Sequence, residues 1–161
     1  MHVDPVGGGE VTPLLEDELR ALYERYRMAG TDIEIESPTH VALVVEMDVC
    51  VTREALRTTV ERGIRRALST RDHADGTRGL FHPDRFSFGD PVHLSRIVAA
   101  AQQVPGVHSI VVTRFGRLDL PTASGLATGT LPLGRLEIAR LESDRNHPDR
   151  GRLVLRMLGG R

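Results

Sequence analysis

From His40 to Val51 the chain alternates without a break. Val41, Leu43, Val45, Met47, Val49 and Val51 fall on one side, and Ala42, Val44, Glu46, Asp48 and Cys50 on the other. A period of two predicts a half-buried strand with one wholly apolar face. The β-branched run Val107 to Phe115 predicts a second strand. Two more are predicted at Arg135 to Leu141 and Arg152 to Met157, with the polar stretch Ser143 to Gly151 as a hairpin loop between them. Elsewhere the period is helical. Leu15, Leu19, Leu22 and Tyr26 make one face, opened by Thr12 as N-cap with Pro13 at the first position and closed by Gly30. Leu56, Val60, Ile64, Ala67 and Leu68 make another, expected to run from a Thr52 cap to about Ser69. A third helix is expected from Pro91 to Val104, with Asp90 as its cap. The sum is an α+β domain: a small mixed or antiparallel sheet of about four strands, two or three helices on one face, and a C-terminal hairpin.

The stretches between these elements are informative too. Gly79 to Ile97 holds Phe81, Phe86 and Phe88 together with Pro83 and Pro91, and it cannot be one regular element. A loop with that aromatic load is expected to be pinned against a core or a partner. Asp32 to Glu36 reads as a short extended piece. Gly116 to Leu133 is a long connection rich in Gly, Pro and Thr. His-Pro-Asp-Arg occurs at His82–Arg85 and again at His147–Arg150, which reads as turn chemistry rather than a repeat. Residues 1–11, with Gly7, Gly8 and Gly9 in a row, read as a linker or disordered segment, and residues 12–161 as a single domain.

Composition narrows the picture. The 161 residues are 40% hydrophobic and 27% charged, as in a soluble globular domain. No run approaches the length of a membrane span, and the stretch Met1 to Gly9 has neither a basic nor an apolar signal region. The single cysteine excludes an internal disulfide and fits a reducing compartment. A net charge of −1 gives no global pull towards nucleic acid or anionic lipid. All 21 basic residues are Arg, a bias that suits bidentate contacts at interfaces as well as a GC-rich genome.

Candidate chemistry is sparse. No histidine pair has zinc-site spacing, and the Asp72 to Gly76 stretch lacks the ligand ladder and closing Glu of a calcium loop. Ser124 lies in Ala-Ser-Gly-Leu, not in a nucleophile elbow, and Cys50 has no basic neighbour in sequence. Glu46 and Asp48 read as solvated or interfacial. Arg62, Arg65 and Arg66 form a small basic cluster. These residues keep two alternatives open, a small hydrolytic domain or a nucleic-acid-binding one. No catalytic, cofactor or metal residue is assigned.

Longer blocks resemble a known family. Leu22-Tyr23-Glu24-Arg25-Tyr26-Arg27-Met28-Ala29-Gly30-Thr31-Asp32-Ile33-Glu34, the Gly79 to Gly89 stretch, Leu94-Ser95-Arg96-Ile97, Val104-Pro105-Gly106-Val107, Val112 to Phe115 and Leu131 to Leu141 are similar to successive blocks of the baseplate J-like family. This family belongs to contractile phage tails and phage-tail-like injection systems, and the resemblance runs from about Leu14 to Arg161. It covers only the C-terminal part of longer proteins, so the chain is expected to be a piece, with residues 1–9 as junction. The resemblance implies a structural, non-catalytic wedge subunit with no cofactor and no small-molecule substrate. Its implied partners are itself, as a dimer or ring, and other wedge and hub proteins, with neither nucleic acid nor membrane among them. The implied location is cytoplasmic during assembly and then the baseplate of the particle. Interface candidates are Phe81, Phe86, Phe88, Arg96, Arg114 and Arg135, with the Pro121 to Pro132 connection beside them.

Overall fold

The alternating stretch is the centre of the sheet. The computed structural model describes residues 3–26, 34–120, 124–144 and 146–161. Its elements are α1 (Pro13–Glu24), β1 (Thr39–Val51), α2 (Arg57–Ala67), β2 (Val92–His93), α3 (Leu94–Gln102), β3 (Val107–Arg117), β4 (Thr130–Leu131), β5 (Glu137–Arg140) and β6 (Arg152–Gly159). Two short 3-10 turns, Pro83–Arg85 and Pro148–Arg150, fall on the two His-Pro-Asp-Arg sequences. The same tetrapeptide makes the same turn twice, because Pro sets the first φ and the backbone does the rest.

The fold is α+β, with a mixed four-stranded sheet and a small two-stranded one. β3 runs antiparallel along one flank of β1, pairing Leu43 with Arg117 through to Val51 with Val107. The other flank is shared. β5 pairs in parallel with Thr39–Ala42, and β6 pairs in parallel with Val44–Val51. The terminal hairpin expected from the sequence is therefore corrected: β5 and β6 do not pair with each other but lie end to end beside β1. Both run in the same direction, so no hairpin is possible. The chain leaves the ladder at Leu141, closes a loop through the Glu142 N–H to Arg150 carbonyl bond (3.1 Å), and re-enters at Arg152. β1 is long enough to take two partners on that side, and together they pair its edge from Thr39 to Ala42 and from Val44 to Val51.

The core lies between the odd-numbered face of β1 and two helices. Val60, Ile64 and Leu68 come from α2 and its C-cap, Ile97 and Ala101 from α3, with Phe81, Phe86 and Phe115 filling between. α2 is shorter than expected. It begins at Arg57 with Leu56 as N-cap and no side-chain cap bond, while Ala55 N–H closes a turn on the Thr52 carbonyl. α3 also starts late. Asp90 accepts instead from Ser87 N–H (2.9 Å), and Val92–His93 extend to pair with Thr130–Leu131. Two local cap signals thus lose to strand pairing and to loop closure.

α1 follows the sequence reading at its start, with the Thr12 hydroxyl accepting from Leu15 N–H. The Gly30 stop, with Asp32 and Ile33, lies outside the described residues. Residues 3–11 form neither helix nor strand, but they are tied down: Val3 N–H donates to the Glu36 carbonyl and Gly7 N–H to Asp84 Oδ1 (2.8 Å).

Candidate interaction surfaces

The Phe-rich loop is part of the core. Phe81 and Phe86 are 2% and 5% exposed and stack with centroids 5.5 Å apart. They stack because Leu80 N–H and Phe81 N–H zip the loop onto the Ala67 and Ser69 carbonyls at the end of α2. Arg96 lies over the outer side of Phe86, 5.6 Å from its centroid, a cation–π arrangement. Phe88 is half-buried against the same core. Of the six sequence candidates, Arg96 and Arg135 are exposed and Arg114 is half-exposed, paired with Glu46 at 3.5 Å. The structure does not bring the six into one patch: Arg114 is on the outer sheet face, and the Phe rings are inside. Pro121 and its two successors fall outside the described residues.

The outer sheet face carries Glu46, Asp48 and Cys50 from β1, Val111 from β3 and Val154, Arg156 and Leu158 from β6. Arg156 spans to Asp48 in a bidentate bond, which holds its guanidinium above its ordinary pKa. Val111 is 61% exposed. The other end of this face is closed by the loop around Pro148–Arg150, so Val44 is buried while Val111 is not.

α1 stands apart from the core. None of its residues is buried; Leu15 and Leu19 are half-buried, Leu22 is 51% exposed, and Tyr26 beyond it is open. The sequence predicted the stripe correctly, yet the described residues leave it without a full apolar partner.

A cleft of about 690 Å³ opens between the C-terminal half of α2 and the loop after β5. Arg62, Arg65, Arg66 and Arg71 line it, and the core residues Leu141 and Leu153, almost wholly buried, lie at its base. Arg65 is bonded to Glu61 (2.9 Å) and Arg66 to Asp75 (2.5 Å). Thr77 hydrogen bonds, with Arg66 adding, keep the Asp75 carboxyl below its usual range. Arg62 and Arg71 have no carboxylate partner among the described residues. The sequence showed the first three arginines; Arg71 and the leucines join them only because the post-β5 loop folds back.

A smaller cavity of about 180 Å³ lies under residues 3–9. It is lined by Asp4, His40, Thr70 and Arg140, and both ring nitrogens of His40 are buried without a hydrogen-bond partner among the described residues. Burial, then the Arg140 charge, pushes the His40 pKa down; burial pushes Asp4 up. Nothing in the sequence marked His40.

No group of three or more His, Cys, Asp or Glu among the described residues is placed to hold a metal. Ser124 Oγ donates weakly to the Phe115 carbonyl (3.5 Å). No helix among the described residues is long and apolar enough to cross a membrane. In comparisons with known proteins, no family model matches the chain, and neither does any curated sequence.

Proposed function

We propose that this chain is an assembly module, a structural wedge component of a contractile tail or injection-system baseplate that works by self-association and by binding other baseplate proteins. The observation that carries the reading is α1: a capped, amphipathic helix whose apolar stripe is at most half-buried among the described residues, with Leu22 51% exposed. Exposed stripes of this kind on otherwise well-packed domains mark protein interfaces. The open sheet face with Val111 and Leu158 exposed adds a second apolar area rimmed by ion pairs, the mix found at association surfaces. The baseplate assignment itself rests on the block resemblance along the sequence. On this reading the chain associates in the cytoplasm and ends in the baseplate.

The test is the mass of the chain in solution across a concentration series, alone and with candidate wedge proteins. Association that strengthens with concentration is expected. A chain that stays monomeric at high concentration and takes up no wedge partner would overturn the proposal.

A further inference from the structure

β6 is an edge strand whose outer side can be followed group by group. The Ala42 and Glu46 carbonyls of β1 accept from the β3 side, from Leu118 N–H (2.8 Å) and the Thr113 hydroxyl (3.2 Å). Within a strand the N–H and C=O of one residue point to the same flank, and the flank alternates along the chain. The odd-numbered residues of β1 therefore face β6. In a parallel pair each of them bonds the neighbours of the residue beside it, which here are the even-numbered residues of β6. Leu153, Leu155, Met157 and Gly159 turn their backbone groups away from β1. The ends of that row are taken: Leu153 N–H donates to Ser143 Oγ (3.3 Å), and the Gly159 carbonyl accepts from Arg57 Nε. Between them, the N–H and C=O of Leu155 and Met157 have no hydrogen-bond partner among the described residues. The edge is also regular. β6 keeps register with β1 over eight residues, whereas β3, on the opposite flank, shifts register at Glu46/Met47 and again at Cys50/Val51. Bulges and outward charges are what normally spoil an edge for pairing. The mid-strand charge of β6, Arg156, is tied to Asp48 across the sheet face.

We infer that β6 of a second copy pairs antiparallel with this edge about a two-fold axis at Arg156, so that the sheet continues from one copy into the other. The inference rests on the self-association reading above and names its surface. In this register Leu155 of each copy lies opposite Met157 of the other. Each such pair exchanges two bonds, so every free group of Leu155 and Met157 is used. The side chains agree. On the outer face Leu158, 44% exposed, meets Val154 of the other copy, and on the core face the half-buried Leu155 and Met157 meet across the axis. The two Arg156 side chains come together at the axis, each already neutralised by its own Asp48. An unrelated strand meets the same backbone groups, but β6 itself also brings an apolar partner for Leu158 and for Met157.

Two measurements on the full chain test it. Met157→Pro removes an N–H that faces away from β1, so the β1 ladder stays whole. Once its melting curve shows it folded, sedimentation should find it associating about tenfold or more weakly than wild type. The second measurement is cross-linking, with Cys50→Ser as background. Arg156→Cys faces its own copy at an antiparallel position without hydrogen bonds, where Cα atoms lie about 4.5 Å apart, within disulfide reach. Mild oxidation should link it into dimers. Arg152→Cys, exposed on the same face of the same strand but away from the axis, should stay unlinked. Wild type that associates while Met157→Pro matches it would overturn the inference and leave self-association standing. So would Arg156→Cys that links no faster than Arg152→Cys; a weakened Met157→Pro beside that result would give the edge to a foreign strand. Wild type that is monomeric at every concentration would sink both.

Discussion

Phe86 links the loop to the core. It lies flat against Phe81 beneath Arg96, almost wholly buried. Truncation to Ala should therefore cost folding first, about 3–5 kcal/mol by the usual scale for buried Phe, read by denaturant unfolding. A loss below about 1 kcal/mol combined with loss of association would instead make it an interface residue. His40 makes a different prediction at the same scale. Its folded pKa lies below the ordinary 6.5 through burial and then Arg140, with Asp4, Glu10 and Glu142 opposing. The unfolded chain then binds its proton at higher pH than the folded one. The stability from neutral His40 is full above 6.5 and is lost as pH falls from there through the folded value. Melting temperature should drop between pH 7 and pH 5, and the drop should be smaller in His40→Phe. Parallel curves for the two proteins would remove His40 from the account.

At the scale of elements, the join between α2 and the Phe loop is tightly constrained. Gly79 is buried, and a Cβ there would lie 2.0 Å from the Ser69 carbonyl oxygen. The neighbouring Leu80 N–H to Ala67 carbonyl bond (2.8 Å) leaves the loop no room to move off. Gly79→Ala should destabilise by about 1–3 kcal/mol or more, measured by thermal or denaturant unfolding. A neutral result would mean that the loop slides freely along the helix end. The same join explains why the third helix starts late. Once Phe86 is anchored, Asp90 closes the turn at Ser87, and Val92–His93 are drawn out to meet Thr130–Leu131. A cap bond contributes about 1 kcal/mol, so a competing pairing that also buries Val92 and Leu131 wins.

At the scale of the molecule, the core and the surfaces proposed for association are different parts. The core uses one face of the sheet, α2, α3 and the Phe loop, while α1, the arginine cleft and the outer sheet end stay at the surface. Arg117 ties the flanks together across β1: it bonds Glu137 twice at 2.9 Å and Asp119 as well, which holds both carboxyls below their usual range. What the sequence by itself determined were the features written in near neighbours. They are the two-residue alternation of β1, the Thr12–Pro13 start of α1, the helical stripes and the two Pro-Asp-Arg turns. Each depends on contacts within about four residues, which local order fixes before any partner is chosen. Only the tertiary structure decided that β5 and β6 both flank β1, that Asp90 caps no helix, that α1 finds no place in the core, and that Arg71 and Leu153 meet across one cleft. These outcomes come from competition between segments tens of residues apart. Many pairings there satisfy the same local pattern, and the one that buries most apolar surface with its backbone groups paired prevails.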